Sequence, residues 1–343
     1  MGDDHNWFER LTGFAEGSYE ATRQKLAVEG GRLRSLRNGA AYNIGALELV
    51  SLGELRERAS QSAAGNGQLT VRNVTGDVRA MHQAKEHVGA LFQVASQFNL
   101  LEMVGPDITP EDGVARYAYD RTQGPACAIA AGAATIYRNY FAPVDGEFGQ
   151  TAARQLDGLA GVGRWLAAAL ERPVTSLWTM RNGYALCTRE GLEAISDLIS
   201  SLDEAGRDEL RASLRIGLHR DVEATERDAQ PRQLISQAFC SALPVAYGVQ
   251  PAELWAPFAK LVLEAAYEAT LWAALHNAQR GASNTVLLTR LGGGAFGNRD
   301  AWIDQAIERT LDLFKGRPLD VRLVSYGAPL ASMLAFEDVF RAA

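Results

Sequence analysis

Hydrophobic and polar positions along this chain form short segments typical of strands, separated by longer segments typical of helices. Residues 69–74 alternate with a period of two, 89–98 form a more continuously apolar run, and 284–288 form a short apolar run. Such alternation is typical of half-buried strands, and short apolar runs are typical of buried ones. Further strands are predicted at 45–49, 178–187, 214–218, 236–247 and 320–326.

Helical segments lie between these predicted strands. Proline suits the first turn of a helix, so Pro125 predicts a helix that begins at Gly124 and continues through an alanine-rich stretch to 139. The longest predicted helix, 252–279, is apolar on most faces, and we expect it to be buried. Strands that alternate with covering helices predict an α/β sandwich with a mainly parallel or mixed central sheet. Other helices are predicted at 18–29, from 51 onward, at 189–202 and at 300–315.

A glycine-rich loop directly follows the predicted strand 284–288. Glycine lets the backbone turn sharply and expose successive N–H groups, which can bind an anion without any Lys or Arg. In α/β sheets ligands bind beyond the carboxyl ends of strands, and this loop falls at such an end. The loop predicts a diphosphate site, and the alternative is a plain structural turn. Its residues are Gly292, Gly293, Gly294, Ala295, Phe296, Gly297 and Asn298.

Composition and charge narrow the functional classes. The 343 residues are 47% hydrophobic and 22% charged, which excludes a mainly disordered chain. The formal net charge of −7 argues against an extended nucleic-acid surface. No apolar stretch reaches the ~18 residues of a membrane span, and the first residues do not resemble a signal peptide. We therefore expect a cytoplasmic protein that does not bind membranes.

The potential metal-binding residues are scattered. Cys127, Cys187 and Cys240 lie far apart without CxxC spacing, so we expect three buried thiols instead of a zinc site or a disulfide. The five histidines do not cluster either. No metal and no cofactor are predicted, and the oligomeric state cannot be predicted from the sequence.

A small polar stretch at 61–67 is the best candidate linker. It divides the chain into an N-terminal extension, 1–67, packed on or linked to the core, and a main domain, 68–343.

Four segments then follow one another in an informative order. The first strand ends in Gly76, Asp77 and Val78, and the second ends at Asn99. The long helix with the glycine loop comes third, and a last strand ending at Tyr326 comes fourth. This order resembles the macrodomain family, α/β/α modules that bind ADP-ribose. The Gly-Ala-Phe-Gly-Asn stretch also resembles a loop of bacterial-type poly(ADP-ribose) glycohydrolases.

The resemblance implies a fold and a set of ligand contacts. The fold would be a three-layer α/β/α macrodomain-like sandwich with a mixed central sheet, an N-terminal extension and a large helical insertion at about 141–232. Asp77 would contact the adenine amino group beside the amide of Val78, and Tyr326 would stack on the adenine. Asn99 would contact the distal ribose, and the glycine loop would hold the diphosphate.

The chain departs from the family pattern where the catalytic acid is expected. Hydrolytic macrodomains carry a glycine triplet and an acidic residue close after the Asn, whereas here 24 residues separate Asn99 from Gly124, and Ala126 occupies the expected acid position. Cleaving a glycosidic bond requires an acid or a base. The intervening loop offers Glu102, closest to Asn99, and Asp120, just before the helix.

These two candidates have simpler alternative interpretations. Glu102 could be a surface acid, and Asp120 could be a charge at a helix N-terminus. The helix start itself, Thr122, Gln123 and Gly124, would favour an anionic ligand group through its free amides.

The resemblance implies an enzyme that binds ADP-ribose and hydrolyses an ADP-ribosyl linkage on a protein or another acceptor. A non-catalytic module that binds ADP-ribose or a related nucleotide is the first alternative, favoured by Ala126. A structural or assembly protein, in which the glycine loop is only a turn, is the second.

Overall fold

The computed structural model describes residues 6–60, 67–226 and 232–340, so the predicted linker lies outside the described residues except for Gly67. The strands are β1 Leu26–Glu29, β2 Arg32–Ser35, β3 Ala41–Asn43, β4 Ala46–Ser51, β5 Thr70–Thr75, β6 Leu91–Ala95, β7 Pro143–Val144, β8 Glu147–Phe148, β9 Trp178–Arg181, β10 Tyr184–Cys187, β11 Arg215–Glu223, β12 Leu234–Cys240, β13 Thr285–Leu288 and β14 Asp320–Ser325. The helices are α1 Trp7–Thr12, α2 Tyr19–Arg23, α3 Leu52–Ser60, α4 Val78–Met81, α5 Gln123–Ala130, α6 Gly132–Tyr140, α7 Ala160–Leu170, α8 Val174–Leu177, α9 Arg189–Ser201, α10 Glu204–Ala212, α11 Ala252–Gln279, α12 Asp300–Leu313 and α13 Ala331–Phe340.

A seven-stranded mixed sheet forms the centre of the molecule. Its strand order is β4-β11-β12-β6-β13-β14-β5. Strands β12, β6, β13, β14 and β5 run parallel to one another, and β11 is antiparallel to both of its neighbours. The carboxyl ends of the five parallel strands therefore lie along one edge of the sheet.

Helices cover both faces of this sheet. Helix α11 packs with α3, α9, α10 and α12 on one face, and α4, α5 and α6 lie on the other. Successive strand residues alternate between the two cores: Leu91 and Val286 belong to the α11 side, and Phe92 and Leu287 to the α5 side. The three-layer α/β/α arrangement with a mixed sheet, predicted from the sequence, is confirmed.

The N-terminal segment forms a further layer outside α5 and α6. Helices α1 and α2 and the small sheet β1-β2-β3 share an apolar cluster with those two helices. The next strand, β4, joins the central sheet by pairing with β11. Strand β11 lies within the predicted insertion at 141–232, so this stretch also contributes to the central sheet. The division at residue 67 and the insertion boundaries stay predictions.

Two predicted elements are wrong because glycine-containing turns divide them. The predicted helix 18–29 is a single turn of helix, α2, followed by β1, which pairs with β2 after a turn at Gly30 and Gly31. Both glycines are left-handed, with φ of 55° and 73°. The predicted strand 178–187 is the hairpin β9-β10, which turns at Asn182 and Gly183 with φ of 47° and 80°. Positive φ at both central residues is what a two-residue hairpin loop requires.

The predicted helix 124–139 is also two helices. It breaks at Ala131, whose φ of −118° and ψ of 54° are not helical. Gly132 then begins α6 in close contact with the Trp7 ring and Leu11, where a Cβ would lie 2.6 Å from the leucine side chain. The packing of α1 against this point therefore requires a glycine at position 132.

The three cysteines are free and buried, as predicted. Among the described residues, none of the helices has the length and apolar character needed to cross a membrane. In the same part of the chain, no group of three His, Cys, Asp or Glu side chains is close enough to hold a metal ion.

Candidate functional site

A cavity of about 830 Å³ opens at the carboxyl edge of the sheet. Its wall includes Ala95 at the end of β6, Ala242 just after β12 and Thr289 just after β13. The volume lies in the range of small-molecule sites in proteins. The cavity is thus where ligands of open α/β sheets bind.

About half of the residues predicted from the sequence line this cavity. The lining includes the following of them: Glu102, Asp120, Thr122, Gln123, Gly124, Gly292, Gly294, Ala295 and Phe296. The other predicted site residues do not line it: Asp77, Val78, Asn99, Gly293, Gly297, Asn298 and Tyr326. The structure therefore brings the 100–123 segment and the glycine loop together on one cavity, and it leaves the predicted adenine contacts outside.

Asn99 is fully buried and its side chain is already occupied. Its Nδ2 donates to Gln155 Oε1 at 2.8 Å, and its Oδ1 accepts from the Leu101 amide at 3.1 Å. The residue between, Leu100, has a positive φ of 64°. Asn99 thus stabilises the sharp turn that leads from β6 to Glu102, and its contact with a ribose stays a prediction.

Asp77 follows the edge strand β5, and Tyr326 follows its neighbour β14. The Gly76 amide donates to Ser325 O at 2.9 Å, which holds the two strand ends together. Asp77 caps helix α4 by accepting from the Arg79 amide at 2.9 Å, and Val78 is buried in the core beneath that helix. Tyr326 is 87% exposed. These residues share the sheet edge with the cavity, and their roles in adenine binding stay predictions.

Packing contacts and hydrogen bonds to the protein core fix the position of the glycine loop. Gly292 has a φ of 74°, and a Cβ there would collide with Ala242, so the position requires glycine. The Leu291 amide donates to the hydroxyl of buried Tyr267 at 2.8 Å, and Asn298 Nδ2 donates to Leu243 O at 2.9 Å. Asn298 therefore anchors the loop, and its contact with a ligand stays a prediction.

Several backbone amides of the cavity wall are unused. Within the described residues, the N–H groups of Gly292, Gly294, Ala295 and Phe296 donate no hydrogen bond to the protein. The first amides of helix α5, at Gln123 and Gly124, have no partner inside their helix either. Two sets of free donors on one cavity make a site for an anionic group such as a diphosphate.

Glu102 is a buried acid on the cavity wall. Its side chain is 1% exposed, and Oε1 lies 3.4 Å from Arg138 Nη2. The Glu102 amide donates to the Tyr117 hydroxyl at 3.1 Å, while Oε2 has no hydrogen-bond partner among the described residues. Burial raises the pKa of Glu102 to about 7, against the opposing charge of Arg138. Such a carboxyl can both give and take a proton near neutral pH.

Glu102 packs on the first turn of helix α5. A Cβ at Gly124 would lie 3.1 Å from Glu102 Cγ and would also collide with the Ala95 carbonyl oxygen. The helix start has Ala126 where the resemblance implied an acid, and a carboxyl reaches this helix start from residue 102 instead. The alternative interpretation of Glu102 as a surface acid is wrong, because β6 and the turn at Asn99 place it in the interior.

Asp120 also lines the cavity, but its carboxylate already has a role. Its Oδ1 accepts from the Thr122 amide at 2.9 Å, which fixes the turn that precedes α5. Asp120 is partly exposed. This position fits the interpretation as a charge beside a helix N-terminus.

Three aromatic rings form one wall of the cavity: Phe296, which was predicted from the sequence, and Tyr184 and Tyr247, which were not. The centroid of Tyr184 lies 5.0 Å from that of Tyr247 and 5.2 Å from that of Phe296. The Tyr184 hydroxyl donates to Met103 O at 2.7 Å, directly beside Glu102. The Asn182-Gly183 pair is typical of a hairpin turn and indicates the turn before Tyr184, but no signal in the sequence places that ring at the cavity.

Two arginines at the site were also missed. Arg138 lies behind Glu102 on α6, and nothing in the residues around it separates it from a surface arginine. Arg290 lines the cavity, but its guanidinium is paired with Asp304 and, at 2.8 Å, with Asp300. These two acids offset its charge, so anion binding at the loop depends mainly on the backbone amides.

Comparisons with known proteins give a distant structural likeness. No family model matches the chain, and no curated protein matches it. It is similar to the crystal structure of poly(ADP-ribose) glycohydrolase from Deinococcus radiodurans in complex with ADP-ribose, with 14% identity, a TM-score of 0.47, and coverage of 86% of this chain and 93% of that one.

A second similar structure is the poly(ADP-ribose) glycohydrolase of Thermomonospora curvata, with 14% identity and a TM-score of 0.44 over 94% of this chain and 97% of that one. The same enzyme bound to the inhibitor ADP-HPD has 13% identity and a TM-score of 0.43 over the same shares. Likeness at this level assigns no function, which must be inferred from the geometry of the site.

Proposed function

We propose that this protein binds ADP-ribose in the cavity and hydrolyses an ADP-ribosyl linkage, with Glu102 as the acid or base. The observation that carries the proposal is the buried Glu102 carboxyl, which has one unpartnered oxygen among the described residues and lines the same cavity as the glycine loop. A buried carboxyl with a raised pKa in a cleft is typical of functional sites.

The free amides support a diphosphate as the central ligand group. Gly294, Ala295 and Phe296 offer donors from the loop, and Gln123 and Gly124 offer donors from the start of α5. Hydrogen bonds from such amides to a charged oxygen are stronger than those between neutral groups. The aromatic rings of Tyr184, Tyr247 and Phe296 provide an apolar face suited to a planar base or to the face of a sugar.

The chemistry follows from the protonation of Glu102. In its protonated form the carboxyl can donate a proton to the oxygen or nitrogen that leaves the anomeric carbon. In its ionised form it can take a proton from the attacking water. A pKa of about 7 keeps both forms populated at neutral pH.

Calorimetric titration with ADP-ribose tests the binding half of the proposal. A Cβ added at Gly294 would meet no atom within 4 Å, so Gly294→Asp should fold while placing a negative charge at the cavity. We expect its affinity for ADP-ribose to fall at least about tenfold, because two negative groups would share one site. Gly316→Asp is the matched control, since Gly316 is equally open and does not line the cavity.

Equal affinity of the two aspartate variants would remove the glycine loop from the site. Binding of ADP-ribose by the wild-type protein without any release of ADP-ribose from poly(ADP-ribose) or ADP-ribosylated proteins would instead favour the non-catalytic module. The ion pair of Glu102 with Arg138 favours this non-catalytic module, because a carboxylate with a purely structural role would make the same contact.

A further inference from the structure

Arg138 lies immediately behind the cavity carboxyl without lining the cavity. Its side chain is fully buried. Besides the 3.4 Å contact with Glu102, Nε donates to Leu100 O at 3.1 Å and Nη2 donates to Thr135 Oγ1 at 3.2 Å. The guanidinium is therefore held by the backbone before Glu102 and by its own helix, and it contacts Glu102 through one oxygen only.

Burying the charge of Arg138 lowers the stability of the fold. Its Nη1 has no hydrogen-bond partner among the described residues, and a cation–π contact with Phe239, 3.8 Å from the ring centroid, offsets only part of the cost of burial. A buried charge that is only partly satisfied lowers stability, and apolar residues of similar volume often pack better. Arginine also keeps its charge in nearly every environment. A fixed positive charge at this position is thus better explained by its effect on Glu102 than by packing.

The other titratable groups around the pair stay neutral. Burial raises the pKa of Tyr117, from the segment before α5, and of Cys127 on α5. Burial, followed by the charge of Arg138, lowers the pKa of His219 on β11 to about 3. Within the described residues, Arg138 is thus the charged group that acts directly on Glu102.

We propose that Arg138 is a positioning residue that holds the Glu102 carboxyl in place and controls its charge without contacting the substrate. The inference rests on the proposed function, in which Glu102 is the catalytic group. Helix α6 would then contribute to the reaction from behind the cavity, through a charge that the ligand never meets.

The sign of the effect follows from the charge. A guanidinium favours the ionised carboxyl and opposes the effect of burial, so its removal should make Glu102 ionise at higher pH. If protonated Glu102 is the active form, activity falls as pH rises through this ionisation. If the ionised form is active, activity rises instead. In both cases the midpoint of the pH profile of activity moves to higher pH when Arg138 is replaced by a neutral residue.

The test compares charge removal with charge retention. Arg138→Gln keeps hydrogen-bonding atoms and should fold, Arg138→Met removes them, and Arg138→Lys keeps a positive charge. Arg211→Gln is the control, because Arg211 is another buried arginine, paired with Glu204 and Glu264, and it does not line the cavity. Infrared difference spectra against Glu102→Gln follow the carboxyl band of Glu102 as a function of pH, independently of turnover. The pH profile of ADP-ribose release is recorded in parallel.

We expect the Glu102 midpoint to rise by at least about one pH unit in Arg138→Gln and Arg138→Met, and by less than about half a unit in Arg138→Lys. Arg211→Gln should leave it unchanged. A folded neutral variant that titrates like the wild type would overturn the inference, and so would a lysine variant that shifts as far as the neutral ones. If the infrared midpoint moves as expected while no variant or wild-type protein releases ADP-ribose, the proposed function fails and the control of Glu102 by Arg138 stands.

Discussion

Two buried glutamates lie on opposite sides of the central sheet, and their surroundings differ. Glu268 on α11 accepts hydrogen bonds from Arg56 at 2.7 Å, Arg309 at 2.8 Å and Trp272 at 3.1 Å, so both of its oxygens have partners. Burial pushes its pKa up, but the two arginines outweigh burial, and its pKa lies below the ordinary value. Glu102 has a single arginine contact at 3.4 Å, one oxygen without a partner among the described residues, and a raised pKa.

The difference separates a structural carboxylate from a functional one. Glu268 is saturated by its neighbours and has no capacity left for a ligand. Glu102 is equally buried, but it lines the cavity, and one of its oxygens has no partner among the described residues. A buried acceptor without a partner costs stability, and such a cost is common at functional sites.

The largest expected effect is on turnover. Glu102→Gln removes the group that exchanges protons and keeps its shape, so kcat for release of ADP-ribose should fall by about 10²–10⁴-fold. Affinity for ADP-ribose should change less than about threefold, because the amide donors of the loop are untouched. Kinetic assays on poly(ADP-ribose) and calorimetry measure the two quantities separately.

Glu268→Gln is the matched control on the other side of the sheet. It should leave turnover unchanged and lower the free energy of unfolding by about 2 kcal/mol, the usual size for hydrogen bonds to a charged group. Loss of activity in the Glu268 variant with full activity in the Glu102 variant would invert the comparison between the two residues.

The second effect is on stability as a function of pH. The folded-state pKa of Glu102 is about 7 and its ordinary value is 4.5. A raised pKa contributes stability that is complete below the ordinary value and is lost as pH rises through the folded value. As pH rises from 4.5 to 8, the free energy of unfolding of Glu102→Gln should therefore increase by about 3 kcal/mol relative to that of the wild type.

Glu268 should show the opposite trend, because its pKa is lowered. Its contribution is present above the ordinary carboxyl range and is lost as pH falls through the folded-state pKa. Urea unfolding of the wild type and both glutamine variants at pH 3, 4.5, 6 and 8 measures the two trends, because the Glu268 contribution is lost only below pH 4.5. Parallel pH dependences for the two variants would show that their environments do not differ as described.

The smallest expected effect concerns the aromatic wall beside Glu102. Tyr247→Ala should weaken ADP-ribose binding by about 1–2 kcal/mol, in the range found for stacking of a base on an aromatic side chain. Trp272→Phe is the control, because Trp272 is an aromatic partner of Glu268 outside the cavity lining. Calorimetry of both variants checks this. An unchanged affinity in Tyr247→Ala would remove the aromatic wall from the ligand site.

The fold was largely predictable because local patterns determine it. The short apolar runs of β6 and β13 and the length of the apolar helix α11 distinguish strand from helix, and the glycine loop follows its strand closely. The helix predicted at 18–29 was wrong because a pair of glycines, Gly30 and Gly31, outweighed helical propensity. At the end of helix α5 the Ala130 carbonyl accepts from the Thr225 amide at 2.8 Å, a partner from a distant part of the chain that local patterns do not reveal.

The site was only partly predictable for the same reason. Glu102 and the glycine loop could be identified as candidates from nearby motifs. The burial of Glu102 could not, because it depends on Arg138, Tyr117 and the first turn of α5 meeting around it. Tyr184 and Tyr247 reach the cavity from segments that carry no ligand motif, so only the folded chain reveals them.

A crystal structure of the Glu102→Gln variant with ADP-ribose tests the central claim most directly. We predict the diphosphate at about 3 Å from the amides of Gly294, Ala295 or Phe296, and the anomeric carbon of the distal ribose beside residue 102. ADP-ribose bound elsewhere on the protein, or bound with its distal ribose directed away from residue 102, would contradict the assignment of Glu102 as the catalytic group.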